Sequence, residues 1–257
     1  MRAPRPFRHV PLVVAAALVL FVAVGVVERR RAGPAASAHE SGPTGSTDIG
    51  AASSERPASA PATGGPTAAR EATRARIREA AGLTYLAETL ALGDSALHRW
   101  ADRAGRPVRV ALGLAPGSGA GGEHFAALNW ALARWNDVGL PVRLESGADT
   151  SEADVVVEWA RAVPDERGGR ADVAWNGRGE IVRARISLAV RFPDGTPLTA
   201  GERVAIALHE LGHALGLGHS PDPADAMHPE TAATALTARD RRTAELLYRL
   251  PAGSLKN

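Results

Sequence analysis

Residues 209–220 read HELGHALGLGHS, three histidines and one glutamate in twelve positions. On a helix, His209 and His213 lie one turn apart, about 40° from each other around the axis, so both imidazoles can address one ion. Val204, Leu208, Leu211 and Leu215 recur at helical spacing, which buries the opposite face and holds that geometry rigid. Glu210 is adjacent but points away from the shared direction of the pair, which suits a proton acceptor rather than a ligand. Gly216 and Gly218 each cost about 1 kcal/mol relative to alanine inside a helix. They mark a sharp turn that swings His219 back as a third ligand. Three neutral imidazoles leave the fourth tetrahedral position of a zinc ion open, which is the arrangement of a catalytic site rather than a closed structural one. Such an ion lowers the pKa of its water to about 7 and polarises a carbonyl, leaving Glu210 as general base. The competing reading is an Ala/Leu-rich core helix with idle histidines. A bare H-E-x-x-H leaves that open; the full stretch argues against it.

Working outward, Thr199 and Glu202 form a T-x-x-E capping box that opens this helix, and Thr237 with Asp240 resembles a second one, for a final helix through Leu250 that Pro251 ends. Upstream, Pro107–Leu114 alternates like a strand. Glu123–Val138 sets Phe125, Leu128, Leu132 and Trp135 on one helical face, with Gly139 as the stop. Pro141–Leu144 and Ala153–Trp159 read as strands, and Asn176-Gly177 sits between two more as a hairpin signal. Trp130, Trp135, Trp159 and Trp175 are expected in the core. The predicted fold class is α/β (α+β): residues 105–252 form one domain with a twisted mixed sheet of about five strands, an active-site helix and two further helices, and 253–257 are a tail. Residues 70–104 read as a helical pre-domain segment, with Asp94 or Ser95 capping a last short helix that ends at Trp100–Arg103.

The N-terminus has a different character. Arg2, Arg5 and Arg8 precede an uncharged apolar run from Val10 to Val27, closed by Glu28 and Arg29–Arg31. Eighteen helical residues span about 27 Å, close to a bilayer core of about 30 Å. Residues 1–31 are therefore expected to be a transmembrane signal anchor, favoured over a cleaved signal peptide because the run exceeds a usual secretory segment. Residues 32–69, rich in Ala, Ser, Pro and Gly, are the expected linker, which suits an extracytoplasmic tether for the C-terminal domain. The 257 residues carry 30 basic and 28 acidic side chains, a net charge of +2, and show no basic stripe interleaved with aromatics, so a nucleic-acid partner is not expected. Cysteine is absent, which excludes disulfides and thiolate ligands or nucleophiles. Nothing in the sequence sets an oligomeric state.

The pattern His209-Glu210-x-x-His213-x-x-Gly216-x-x-His219 resembles the long zinc-binding motif of the metzincin metallopeptidases. Ser220 directly after the third histidine, and Met227-x-Pro229 in ADAMHP, look most like the matrixin branch, and the similarity runs over about residues 100–250. The resemblance implies one catalytic zinc on His209, His213 and His219, Glu210 as catalytic base, Met227 as the methionine turn beneath the metal, and protein or peptide substrates. It further implies that the strand before the zinc helix, Glu180–Val190, forms the edge of the cleft and pairs with substrate. His228 stands where matrixins commonly carry tyrosine, and reads as a turn residue. A second zinc is not expected, because His98, His124 and His228 are scattered in sequence. Calcium sites, common in the family, have no readable loop signature here. The cysteine latency switch of many matrixins is impossible without cysteine; Asp94 is the candidate substitute, with helix capping as its default role.

Three other readings stay open at the level of sequence. The chain could be a zinc-containing binding or anchoring module that does not cleave, or a metallohydrolase of non-peptide amides. It could also be a latent peptidase whose residues 70–103 cover the cleft.

Overall fold

A computed structural model describes residues 65–103, 105–114, 117–163 and 168–256. The expected anchor over 1–31 and the linker as far as residue 64 lie outside the described residues. Among those that are described, no helix is long and apolar enough to cross a membrane.

Five strands and three helices build the part that carries the motif. Strand β3 (Val108–Leu114) leads into helix α3 (Gly122–Asn136), which is followed by β4 (Leu144–Ser146), β5 (Val155–Ala160), β6 (Gly169–Trp175) and β7 (Glu180–Ala189). Helices α4 (Ala200–Ala214) and α5 (Ala238–Arg249) complete it. The sheet runs β7-β5-β3-β4 with parallel pairing, and β6 adds antiparallel to the outer side of β7. One face of these strands is sealed, with Val110, Val155, Val157 and Ile186 side by side and fully enclosed, while the other carries Glu158 and Arg185 at the surface. The mixed α/β architecture expected from the sequence is present. Both capping boxes form, with Thr199 Oγ1 accepting from the Glu202 amide and Thr237 Oγ1 from the Asp240 amide.

Upstream, helix α1 (Pro66–Glu79) and helix α2 (Leu86–Leu92) precede two-residue strands β1 (Ala96–Leu97) and β2 (Arg99–Trp100). Helix α1 begins inside the expected linker, because Pro66 fits the first helical turn, where its missing N–H is not needed. The expected helix ending at Trp100–Arg103 is absent. Ser95 has φ 60°, in the left-handed region, and the following residues extend. Ala96–Leu97 pairs with Gly253–Ser254 (β8), and Arg99–Trp100 pairs with Glu180–Ile181. Long-range pairing overrides the local helical pattern. The same pairing gives the expected tail a strand, and Leu255 is buried behind it. Ile77, Tyr85, Leu86, Leu97 and Trp100 join one hydrophobic core with Leu128, Trp135, Leu208 and Leu247, so the upstream segment shares its interior with the rest.

Two further expectations are corrected. Trp135 and Trp159 are buried as expected, but Trp130 and Trp175 are 38% and 46% exposed; Trp130 lies beneath the Arg134 guanidinium and Trp175 stacks on His98. The strand before the motif helix, Glu180–Val190 in the expectation, is not the sheet edge. The β6–β7 hairpin does form, around a turn in which the Asn176 amide bonds Glu180 O and Gly179, not Gly177, takes positive φ. Because β7 is held by β5 on its other side, the open edge among the described residues belongs to β6.

Candidate active site

The motif helix α4 presents His209 and His213 on one face. The Nδ1 of His209 faces Ala226 O at 2.9 Å and that of His213 faces Leu217 O at 2.8 Å. A carbonyl only accepts, so each Nδ1 is the protonated nitrogen and each Nε2 is the unprotonated one. The two Nε2 atoms stand 3.0 Å apart, near the separation of about 3.3 Å that follows from a tetrahedral site with Zn–N bonds of about 2.0–2.1 Å. His219 closes the group: one nitrogen from each of the three rings lies within 4.8 Å of the others. His209 is buried while the other two are more open. Burial holds the His209 pKa below the ordinary imidazole value, only partly offset by its bond to Ala226, which keeps the ring in the neutral form a metal requires.

Local backbone geometry brings His219 back. Helix α4 ends with Leu215 as its cap, and Gly216 follows at φ 97°. The Leu217 amide bonds Gly212 O and the Gly216 amide bonds His213 O, the paired bonds of a Schellman turn. A Cβ on Gly216 would fall inside the carbonyl of His98, and one on Gly218 would strike the Thr89 side chain. Both glycines are thus required by close approach of the upstream segment as well as by the turn.

Met227 is fully buried beneath α4. Gly212, one residue before His213, is where it approaches: a Cβ there would collide with the Met227 sulfur and the Trp135 ring. The loop carrying Met227 is tied at several points. Ser220 N bonds Met227 O at 2.9 Å, and Ser220 Oγ donates to Asp225 Oδ2 at 2.5 Å. Asp240, fully enclosed, accepts the Ala226 amide at 2.9 Å. His228 does what a turn residue does, its Nδ1 accepting from the Glu230 amide.

Glu210 is 6% exposed and lies against the start of the open edge strand: a Cβ on Gly169 would sit 2.7 Å from Glu210 Oε1. A carboxylate therefore borders both the histidine pair and the edge of the sheet. Asp94 is not near the histidine triad's bonds; its Oδ1 caps the Ala96 amide and its Oδ2 faces His98 Nε2 at 2.9 Å. Spacing could not have revealed the place of Tyr85, whose hydroxyl meets Asp240, or of Gly169 beside Glu210, since both reach the site from far away in sequence. Asp240 was legible only as a helix cap.

The family profile of matrixin, peptidase M10, matches residues 121–249, half of the chain. The chain belongs to the matrixin family. No curated protein matches it. Matrixins are zinc metallopeptidases, and the three imidazoles of this matrixin are a group that could hold the ion. The fit is good on the structure's own terms: the Nε2 atoms of His209 and His213 converge, and the Nδ1–H of each is already bonded to a carbonyl.

Proposed function

We propose that this matrixin is a zinc-dependent endopeptidase acting on extended polypeptide, with His209, His213 and His219 as metal ligands and Glu210 as general base. The observation that carries the reading is the position of Glu210, beside the histidine pair and against Gly169 at the open edge of the sheet. Zinc, when bound, acts as a Lewis acid that polarises the scissile carbonyl and acidifies a water. Glu210 takes the proton from the attacking water and delivers it to the departing amine. Met227 forms an apolar floor that keeps the ligand helix and the His219 turn in register.

Strand β6 positions the substrate. Ala189 N bonds Gly168 O, which puts the β6–β7 ladder on the even-numbered residues of β6 and aims the backbone groups of Gly169, Ala171 and Val173 at the open side. An extended peptide adds there as a further strand, its carbonyls passing Glu210. That edge favours polypeptide over small non-peptide amides. The membrane tether through residues 1–31 and an extracytoplasmic catalytic unit remain part of the proposal, supported by the sequence pattern alone. The catalytic unit itself is taken as 66–256, because its core includes the upstream helices.

The test is Glu210→Ala in the full chain. Zinc content and fold are expected to persist while peptide turnover falls by about 10²–10⁴-fold. Unchanged turnover would remove Glu210 from the chemistry, and absence of turnover in the unaltered protein would favour the non-cleaving binding module.

A further inference from the structure

Tyr85 stands at the start of α2, 36 residues before the region matched by the family profile, and is fully buried. Its hydroxyl lies 3.1 Å from Asp240 Oδ1. The other oxygen, Oδ2, accepts the Ala226 amide at 2.9 Å, and the carbonyl of that same residue accepts His209 Nδ1–H at 2.9 Å. A line of hydrogen bonds thus runs from the upstream segment through a buried carboxylate and the backbone of Ala226 to the first histidine of the motif. We propose that Tyr85 is a positioning residue for the metal site, fixing the Ala226–Met227 loop and, through it, the orientation of the His209 ring.

The chemistry of the line supports this. Burial, reinforced by the negative charge of Asp240 and Asp225, pushes the Tyr85 phenol far above its ordinary pKa, so it remains an O–H donor throughout the working range. A buried carboxylate oxygen without a donor is strongly unfavourable, so the hydroxyl fixes which way Asp240 faces. Asp240 Oδ2 also receives the Thr237 amide at 2.9 Å, which leaves the carboxylate no freedom to turn once Oδ1 is held. With the Ala226 N–H held by Asp240 and the Met227 carbonyl held by the Ser220 amide at 2.9 Å, the backbone is fixed on both sides of the Ala226 carbonyl, and that carbonyl selects the Nδ1–H tautomer and ring angle of His209.

Other ties confine the same region. The Tyr85 amide bonds Thr243 Oγ1, and Arg239 lies over the Tyr85 ring while its guanidinium reaches Glu88 on α2 and Asp225 in the loop, at 3.6 and 3.5 Å. The upstream segment is therefore a brace behind the site. It approaches the metal-binding loop from the side of α5, and Asp94 and His98 engage each other rather than the histidine triad.

The inference rests on His209 being a metal ligand, and the experiment separates the two. Zinc affinity of the metal-free full chain is measured by competition with a chromophoric chelator for the unaltered protein, Tyr85→Phe and Val157→Ala. Tyr85→Phe keeps the ring and removes only the hydroxyl; Val157→Ala opens the buried core of β5 with no polar link to the site. Tyr85→Phe is expected to weaken zinc binding about 3- to 10-fold, less than the 10–100-fold typical of a direct partner of a ligand. Val157→Ala is expected to lower the melting temperature yet leave zinc affinity within twofold. The nitrogen resonances of His209 should move in Tyr85→Phe while those of His213, whose partner is Leu217 O, stay in place. Zinc affinity of Tyr85→Phe within twofold of the unaltered protein, or an equal loss in Val157→Ala, overturns the positioning role. Failure of the unaltered chain to bind zinc would instead overturn the metallopeptidase reading on which it rests.

Discussion

Gly212 condenses the competition of forces within the motif. As a mid-helix glycine it costs about 1 kcal/mol in helix propensity, so alanine there would stabilise an isolated helix. In the folded protein the added Cβ would run into the Met227 sulfur and stand 3.0 Å from Trp135 Cζ2. Neither neighbour can retreat, since Met227 is fully buried and Trp135 is anchored by its Nε1–H to Leu208 O at 2.9 Å. Overpacking of this kind costs about 1–3 kcal/mol and outweighs the propensity gain. Gly212→Ala is expected to lower thermal stability and weaken zinc binding together; an increase in melting temperature would show that Met227 does not press on α4. The gathering of the three histidines was legible in sequence because it is local: a turn of helix and a glycine turn bring all three together. Tyr85 and Asp240 were not, because their contact joins residues 155 positions apart, and no periodicity encodes such a pair.

Among the elements, the β6–β7 hairpin is where the proposed function places the substrate. Its existence was legible in the Asn176-Gly177 signal, but which strand is the edge depends on β5 pairing along β7, a long-range fact. The two exposed tryptophans misled for a related reason: an apolar residue at a periodic position is read as core, yet Trp175 lies at the end of an edge strand with only His98 stacked on it. The edge assignment has a direct consequence. Proline at Ala171 removes an outward amide and spares the ladder, a position where edge strands tolerate it. Ala171→Pro is expected to retain fold and zinc while peptide cleavage falls by at least about tenfold, the equivalent of one lost hydrogen bond. Full activity in that variant would move the substrate elsewhere. Proline within Ile186–Ala189 is expected to unfold the protein, since that strand is paired on both sides.

For the molecule as a whole, the upstream segment is tied to the last strand and to the central sheet, β1 on β8 and β2 on β7. Removing residues 66–100 is expected to abolish cooperative unfolding and zinc binding; a folded, zinc-loaded remainder would show the brace to be dispensable. Acid sensitivity also belongs to this scale. His124 is buried, and that burial holds its pKa below the ordinary imidazole value, with the Arg203 charge adding to the effect. The unfolded chain takes up a proton near pH 6.5 that the folded chain resists, so the stabilisation is complete above about 6.5 and drains away as pH falls toward the folded value. As pH falls below about 6.5 the metal-free protein should lose melting temperature, and His124→Asn should make that decline shallower. An unchanged slope in the variant would remove His124 as a cause. The measurement that bears most directly on the whole picture is metal content coupled to cleavage of a mixed peptide library, before chelation, after it, and after zinc is restored. One zinc per chain, with cleavage lost on chelation and regained with zinc, is the expected result. A chain that binds no zinc, or cleavage that survives removal of the metal, would contradict it.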